Sequence, residues 1–228
     1  MYLLFIAPAF LLAMWAQWRV QSNFQSMSRV RASMTGFQAA RRILDSHGLR
    51  DVRIEQVAGR LSDHYDPGTK VVRLSQHVYG TPSMAAVGIA AHEVGHALQD
   101  AKNYSPLVIR NLAVPLASFG GSIGGLIAMA GLGMLFAGMA AFGKGVLLVG
   151  IVLFGFVVFF QLINLPVEFD ASARAKNELV GLGIVSTNEI HYVSKVLNAA
   201  AMTYVAATLQ TVLTLAYYIT RYMSASRN

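Results

Sequence analysis

The chain has 228 residues, of which 55% are hydrophobic and 13% charged, and it carries a formal charge of +7 with no cysteine. A soluble domain has about 25% charged residues, so this composition excludes an ordinary soluble protein, and the lack of cysteine excludes disulfides and thiolate-bound metals. The positive balance is not a nucleic-acid signal, because the basic residues flank apolar stretches without an aromatic stacking motif; a lipid bilayer with anionic head groups accounts for them better.

Residues 1–18 hold no charge, and a membrane span needs about 20 apolar residues. Residues 2–18 are therefore predicted to form a membrane anchor, with Trp15 and Trp18 at an interface. No basic residue precedes the apolar run and no Ala-x-Ala site follows it, which favours a retained anchor over a cleaved signal peptide. Arg19, Arg29, Arg31, Arg41 and Arg42 come next, placing the following segment in the cytoplasm.

Residues 19–110 read as the main water-facing segment. Thr35-Gly36 precedes a helical pattern through Ala39, Ala40, Ile43 and Leu44 that Gly48 stops. Val52, Ile54 and Val57 suggest a short strand, and residues 61–65 and 70–75 flank Asp66-Pro67-Gly68-Thr69, a turn that makes a β-hairpin. Its second strand, Val71, Val72, Arg73 and Leu74, is expected to offer an edge for an extended peptide; a purely structural hairpin is the plainer alternative.

A helix then starts near Thr81-Pro82-Ser83 and ends before Ser105-Pro106. It carries His92-Glu93-Val94-Gly95-His96. One turn separates the histidines, so they differ by only about 40° around the axis and can reach one zinc ion. Glu93 lies beside that point, where a general base must stand to take a proton from an attacking water. Such a pattern also arises by chance, but the run 84–91 is almost entirely small and apolar. Burying three polar groups there without partners would cost several kcal/mol, and a metal resolves that cost.

The remaining spans are predicted at 112–139, 145–165 and 197–219, the last ending among Tyr217, Tyr218 and Tyr222. The first of these is long and glycine-rich, so tilt or a kink is expected. Gly120, Gly121, Gly124 and Gly125 have the spacing of close helix packing. Gly143-Lys144-Gly145 is expected to turn the chain between the second and third spans. A catalytic zinc needs three protein ligands, and Glu168, just past the third span, is the best third candidate, since a carboxylate at that depth is costly unless paired or metal-bound. Two crossings separate it from His96, so both return to the cytoplasmic side, in agreement with Arg174, Lys176 and Lys195. Arg221 and Arg227 then lie outside, against the trend. His47 reads as a helix-end residue and His64 and His191 as ordinary surface residues; His77, after the second strand and near the motif, is not assigned a place.

The chain resembles the bacterial membrane zinc metallopeptidases called YugP-like or neutral zinc metallopeptidases. The likeness runs over nearly the whole chain. It is carried by Asp63-His64-Tyr65-Asp66-Pro67, Val72-Arg73-Leu74-Ser75, Ala90-Ala91-His92-Glu93-Val94-Gly95-His96-Ala97 and Leu165-Pro166-Val167-Glu168-Phe169-Asp170. The site plan is also similar to the gluzincin class, which includes the HtpX and CAAX-prenyl membrane proteases. The resemblance implies one zinc ion on His92, His96 and Glu168, with Glu93 as base. Many gluzincins place an aspartate four residues after the glutamate ligand to hold a zinc histidine; here that position is Ser172. Asp100, Asp170 and Ser172 are all candidates to orient the histidines, and Tyr192, His191 and Arg174 to donate to the transition state.

The expected fold is a mainly α membrane protein with about four transmembrane helices and a small α+β cytoplasmic metallopeptidase-like domain. In chain order it comprises an anchor (1–18), a catalytic segment (19–110), a transmembrane hairpin (111–165), a cytoplasmic helical segment with the third ligand (166–196) and a final span with tail (197–228). The expected activity is zinc-dependent hydrolysis of peptide bonds in membrane or membrane-proximal proteins, at the cytoplasmic face of a bacterial inner membrane. A homo-oligomer or a membrane-protein partner is compatible with this plan. Three alternatives compete: an intramembrane site-2-type protease, a non-catalytic zinc-stabilised scaffold or assembly factor, and an enzyme acting on non-peptide amides.

Overall fold

The computed structural model describes residues 2–225; Met1 and Arg227 lie outside the described residues. The chain is mainly α with one small sheet. Its elements are α1 (Tyr2–Ser28), α2 (Gly36–Ser46), β1 (Arg53–Val57), β2 (His64–Asp66), β3 (Val71–Ser75), α3 (Gln76–Gly80), α4 (Met84–Ala101), α5 (Ser105–Phe119), a π-helical turn (Gly120–Gly124), α6 (Gly125–Phe136), α7 (Ala140–Gly181) and α8 (Ile190–Ser224). Among the described residues, four helical stretches are long and apolar enough to cross a membrane: Tyr2–Ser28, Ser105–Phe136, Ala140–Gly181 and Ile190–Ser224. The chain divides into two compact units.

The first unit comprises Met1–Trp15, Val108–Leu165 and Thr203–Asn228. It contains none of the chain's 11 acidic residues. Its helices approach closely where glycine removes the side chain: a methyl group at Gly120 would strike the Leu153 carbonyl, and one at Gly131 the backbone of Leu147. Where tilt or a kink was expected, the second span contains a five-residue π-helical turn, Gly120–Gly124, which breaks the regular ladder. The chain reverses earlier than expected. Gly138 takes the left-handed conformation (φ 81°) after α6, whereas Gly143, Lys144 and Gly145 lie inside α7. All three glycines suit a turn locally; the one with positive φ between two apolar runs makes it.

The second unit comprises Ala16–Leu107 and Pro166–Met202. α1 runs to Ser28, ten residues beyond the uncharged stretch, and Phe24 and Met27 of this extension are buried in the unit's core. α2 starts at a full capping box: Thr35 Oγ1 accepts from Gln38 N at 3.2 Å, and Gln38 Oε1 accepts from Thr35 N at 2.9 Å. Its apolar stripe, Ala39, Ala40, Ile43 and Leu44, is fully buried against α4. Each buried aliphatic chain of the Ile or Leu type contributes about 1.5–3 kcal/mol. Thr35→Ala should cost about 1 kcal/mol, read as a thermal midpoint lowered by roughly 2–4 °C in detergent.

The sheet order is β1-β3-β2, with β1 parallel and β2 antiparallel to β3. The hairpin around Asp66-Pro67-Gly68-Thr69 is present as β2 and β3, and Asp66 Oδ1 accepts from Gly68 N at 2.9 Å to hold it. The expectation that Val71, Val72, Arg73 and Leu74 offer a free edge is corrected here. β3 is the central strand, paired on both sides, and Val71, Val72 and Leu74 are fully buried. The edges of the sheet are β1 and β2, and β2 packs on α4.

Candidate metal centre

α4 begins where Ser83 Oγ accepts from Ala86 N at 3.2 Å. The small residues after it bury that end of the helix and leave His92, Glu93 and His96 in a largely dry place. α7 supplies the third group. Glu168 Oε2 lies 3.2 Å from His92 Nε2 and 3.7 Å from His96 Nε2, and the carboxylate side chain is 5% exposed. One ligand atom from each of the three side chains falls within 4.8 Å of the others. The helices can approach this closely because position 95 has no side chain: a methyl group there would sit 2.5 Å from the Ala171 carbonyl oxygen.

Each histidine has a partner on its other ring nitrogen. Ser172 Oγ is 3.1 Å from His92 Nδ1, so the serine four positions after Glu168 reaches a histidine. His96 Nδ1 is 3.0 Å from Gln99 Oε1. Gln99 Nε2 donates in turn to the Val167 carbonyl and to Asp170 Oδ2, both at 2.8 Å. Asp170 also accepts from Arg174 Nε at 2.5 Å, and the Arg174 guanidinium lies over the Tyr104 ring at 5.6 Å. Asp170 therefore reaches His96 only through Gln99.

Asp100 does not orient the histidines. It accepts from the Tyr65 hydroxyl of β2 at 2.8 Å, a contact with the sheet and not with the imidazoles. Tyr192, His191 and Arg174 are engaged elsewhere. His191 is exposed, bonds the Asn188 carbonyl at 2.7 Å and stacks on Tyr192 at 3.8 Å between ring centres. Lys195 lies 5.7 Å from the Tyr192 ring. None of these contacts reaches Glu93 or the three clustered groups. His47 pairs with Glu178 at 2.9 Å, His64 with the Ser62 carbonyl, and His77 packs against Phe24.

Glu93 is buried. Burial pushes its carboxyl above the usual range, against the pull of His92 and His96, while the charges of Glu168 and Asp63 push the same way as burial. Asp63 was not singled out from the sequence; it bonds Ser75 N at 2.7 Å and adds to the field on Glu93. Gln99 was also missed. The legible signal was a polar residue three positions after His96, on the same face of an otherwise apolar helix.

The donor set fits a divalent metal. Two imidazoles and a carboxylate converge, and among the described residues one such group of three exists. Three protein ligands leave a tetrahedral ion one position for water or substrate, the pattern of catalytic zinc.

Residues 2–223 match the family described as "Putative neutral zinc metallopeptidase". The chain is 48% identical over 200 residues, 87% of its length and 86% of the relative's, to a Bacillus subtilis (strain 168) protein named "Putative membrane protease YugP". No solved structure matches the chain significantly.

Proposed function

The chain belongs to the neutral zinc metallopeptidase family, and from that premise we propose a membrane-embedded metalloendopeptidase of the gluzincin type. Its substrates are peptide bonds of membrane or membrane-proximal proteins. The observation that carries the reading is the convergence of His92, His96 and Glu168 beside a buried Glu93. A zinc ion held by those three side chains would supply a Lewis acid that polarises the scissile carbonyl and acidifies water. Glu93, with its carboxyl raised by burial, takes the proton of the attacking water and passes it to the leaving amine. Ser172 and Gln99 hold the two imidazoles in register. The edge strand β2, packed on α4, is where an extended peptide would add as a further strand.

The site-2-type alternative needs the motif in a spanning helix. α4 has 18 residues and is not among the four stretches apolar enough to cross a membrane. Orientation toward the cytoplasm is favoured by charge: of the 18 lysines and arginines, all but Arg110, Lys144, Arg221 and Arg227 fall in the unit that carries the site.

The test is metal removal. Treatment with 1,10-phenanthroline should abolish cleavage of an unfolded membrane-protein substrate, and added zinc should restore it. Glu168→Ala should lose both bound zinc, by elemental analysis, and cleavage. Full activity after chelation, or in Glu168→Ala, would overturn the proposal.

A further inference from the structure

We infer that Gln99 fixes the tautomer of His96, through an amide whose own orientation is set by Val167 and Asp170. The inference rests on the metal reading above and assigns this glutamine a positioning role within it.

Gln99 is fully buried, in the middle of the second unit. One end of its amide faces the Val167 carbonyl and Asp170 Oδ2, each at 2.8 Å. A carbonyl only accepts, and so does the Asp170 carboxylate oxygen that already takes the Arg174 Nε hydrogen at 2.5 Å. The end that meets both must therefore be the NH2 group, and both its hydrogens are used. The opposite end is then the oxygen, which only accepts. It lies 3.0 Å from His96 Nδ1, so that nitrogen carries the hydrogen. In the neutral form that binds a metal, the imidazole has one N–H, which leaves the lone pair on Nε2, the atom on the side of Glu168 at 3.7 Å. Reversing the amide would set oxygen against two acceptors and lose both hydrogen bonds.

His92 is held differently. Its Nδ1 partner is the Ser172 hydroxyl, which both donates and accepts, and so does not by itself select a tautomer. The two histidines of the motif are therefore unequal: His96 is pre-set for a metal on Nε2, and His92 adapts.

Three measurements on the purified full chain test this: zinc affinity by chelator competition, the side-chain Nδ1–H signal of His96 in 15N-histidine-labelled, zinc-loaded protein (assigned with His96→Asn), and thermal unfolding of the metal-free protein. Gln99→Leu should weaken zinc binding about 10- to 100-fold and lose the exchange-protected Nδ1–H signal, with the metal-free unfolding midpoint little changed. Gln99→Glu combined with Asp170→Asn puts an acceptor back against Nδ1 and a donor behind it, while leaving the Val167 carbonyl without its donor, and should recover part of the affinity. Unchanged affinity with a retained signal in Gln99→Leu would overturn the inference. So would a loss of affinity that the double variant does not recover and that tracks a fall in metal-free stability. A wild-type chain that binds no zinc would overturn the metal reading itself, and this inference with it.

Discussion

Glu93→Gln should leave zinc content unchanged and lower peptide cleavage by about 10²–10⁴-fold, the range that a positioned general base contributes. The substitution keeps the shape of the side chain and removes its basicity. Glu93 is not one of the three converging ligand groups, so the metal set is intact in the variant. Its environment makes a second outcome predictable. Burial raises the Glu93 carboxyl pKa, so the folded state binds a proton that the unfolded state has already released. Stability from this group is present at low pH and is lost as pH rises through the folded value. Metal-free Glu93→Gln avoids that loss, so its thermal midpoint should rise relative to wild type between acid and neutral pH. Wild-type cleavage rates in the variant would remove Glu93 from the chemistry, whereas loss of both zinc and cleavage would make it a ligand instead.

Gly95→Ala should dismantle the metal centre without touching any ligand. Alanine in place of glycine ordinarily gains about 1 kcal/mol in a helix interior. Here the added methyl would lie 2.5 Å from the Ala171 carbonyl oxygen and 3.1 Å from the Ala171 carbonyl carbon. These are backbone atoms of α7 and cannot rotate away. Overpacking of this kind costs about 1–3 kcal/mol or more, enough to overcome the helical gain, and relief requires moving Glu168 away from His92 and His96. Gly88→Ala on the same helix is the control. Its methyl meets the Cγ1 methyl of the buried Val193 at 2.9 Å, on α8 and not on the helix that carries Glu168. Zinc content should fall sharply for Gly95→Ala and little for Gly88→Ala, whatever each does to the thermal midpoint; equal zinc loss in the two would show that helix approach at position 95 is not limiting.

Much of this fold is legible locally. Thr35, Ser83 and Asp66-Pro67-Gly68-Thr69 act through neighbours within a few positions, so α2, α4 and the hairpin can be read from composition and period. The spans are legible because charge is absent over long stretches. What escaped depends on distant partners. The parallel pairing of β1 with β3 skips over β2, and no local pattern distinguishes a central from an edge strand in so short a sheet. Asp100 and Gln99 are neighbours on one helix with opposite fates: the acid meets Tyr65 of the sheet, and the amide meets α7. The reason lies in which element covers each face. Helical spacing and the scarcity of late carboxylates narrow the choice to His92, His96 and Glu168, whereas Ser172 enters only through the resemblance, beside Asp100 and Asp170.

The donors His92 and Glu168 are 76 positions apart, with α5, α6 and most of α7 between them. During translation the two imidazoles leave the ribosome long before the carboxylate exists. A nascent chain can then offer only a weak two-point chelate, and the full set closes once the intervening apolar helices have been delivered. Under the proposed activity, hydrolytic competence would thus be tied to completed insertion, and a chain terminated before Glu168 would lack the third donor.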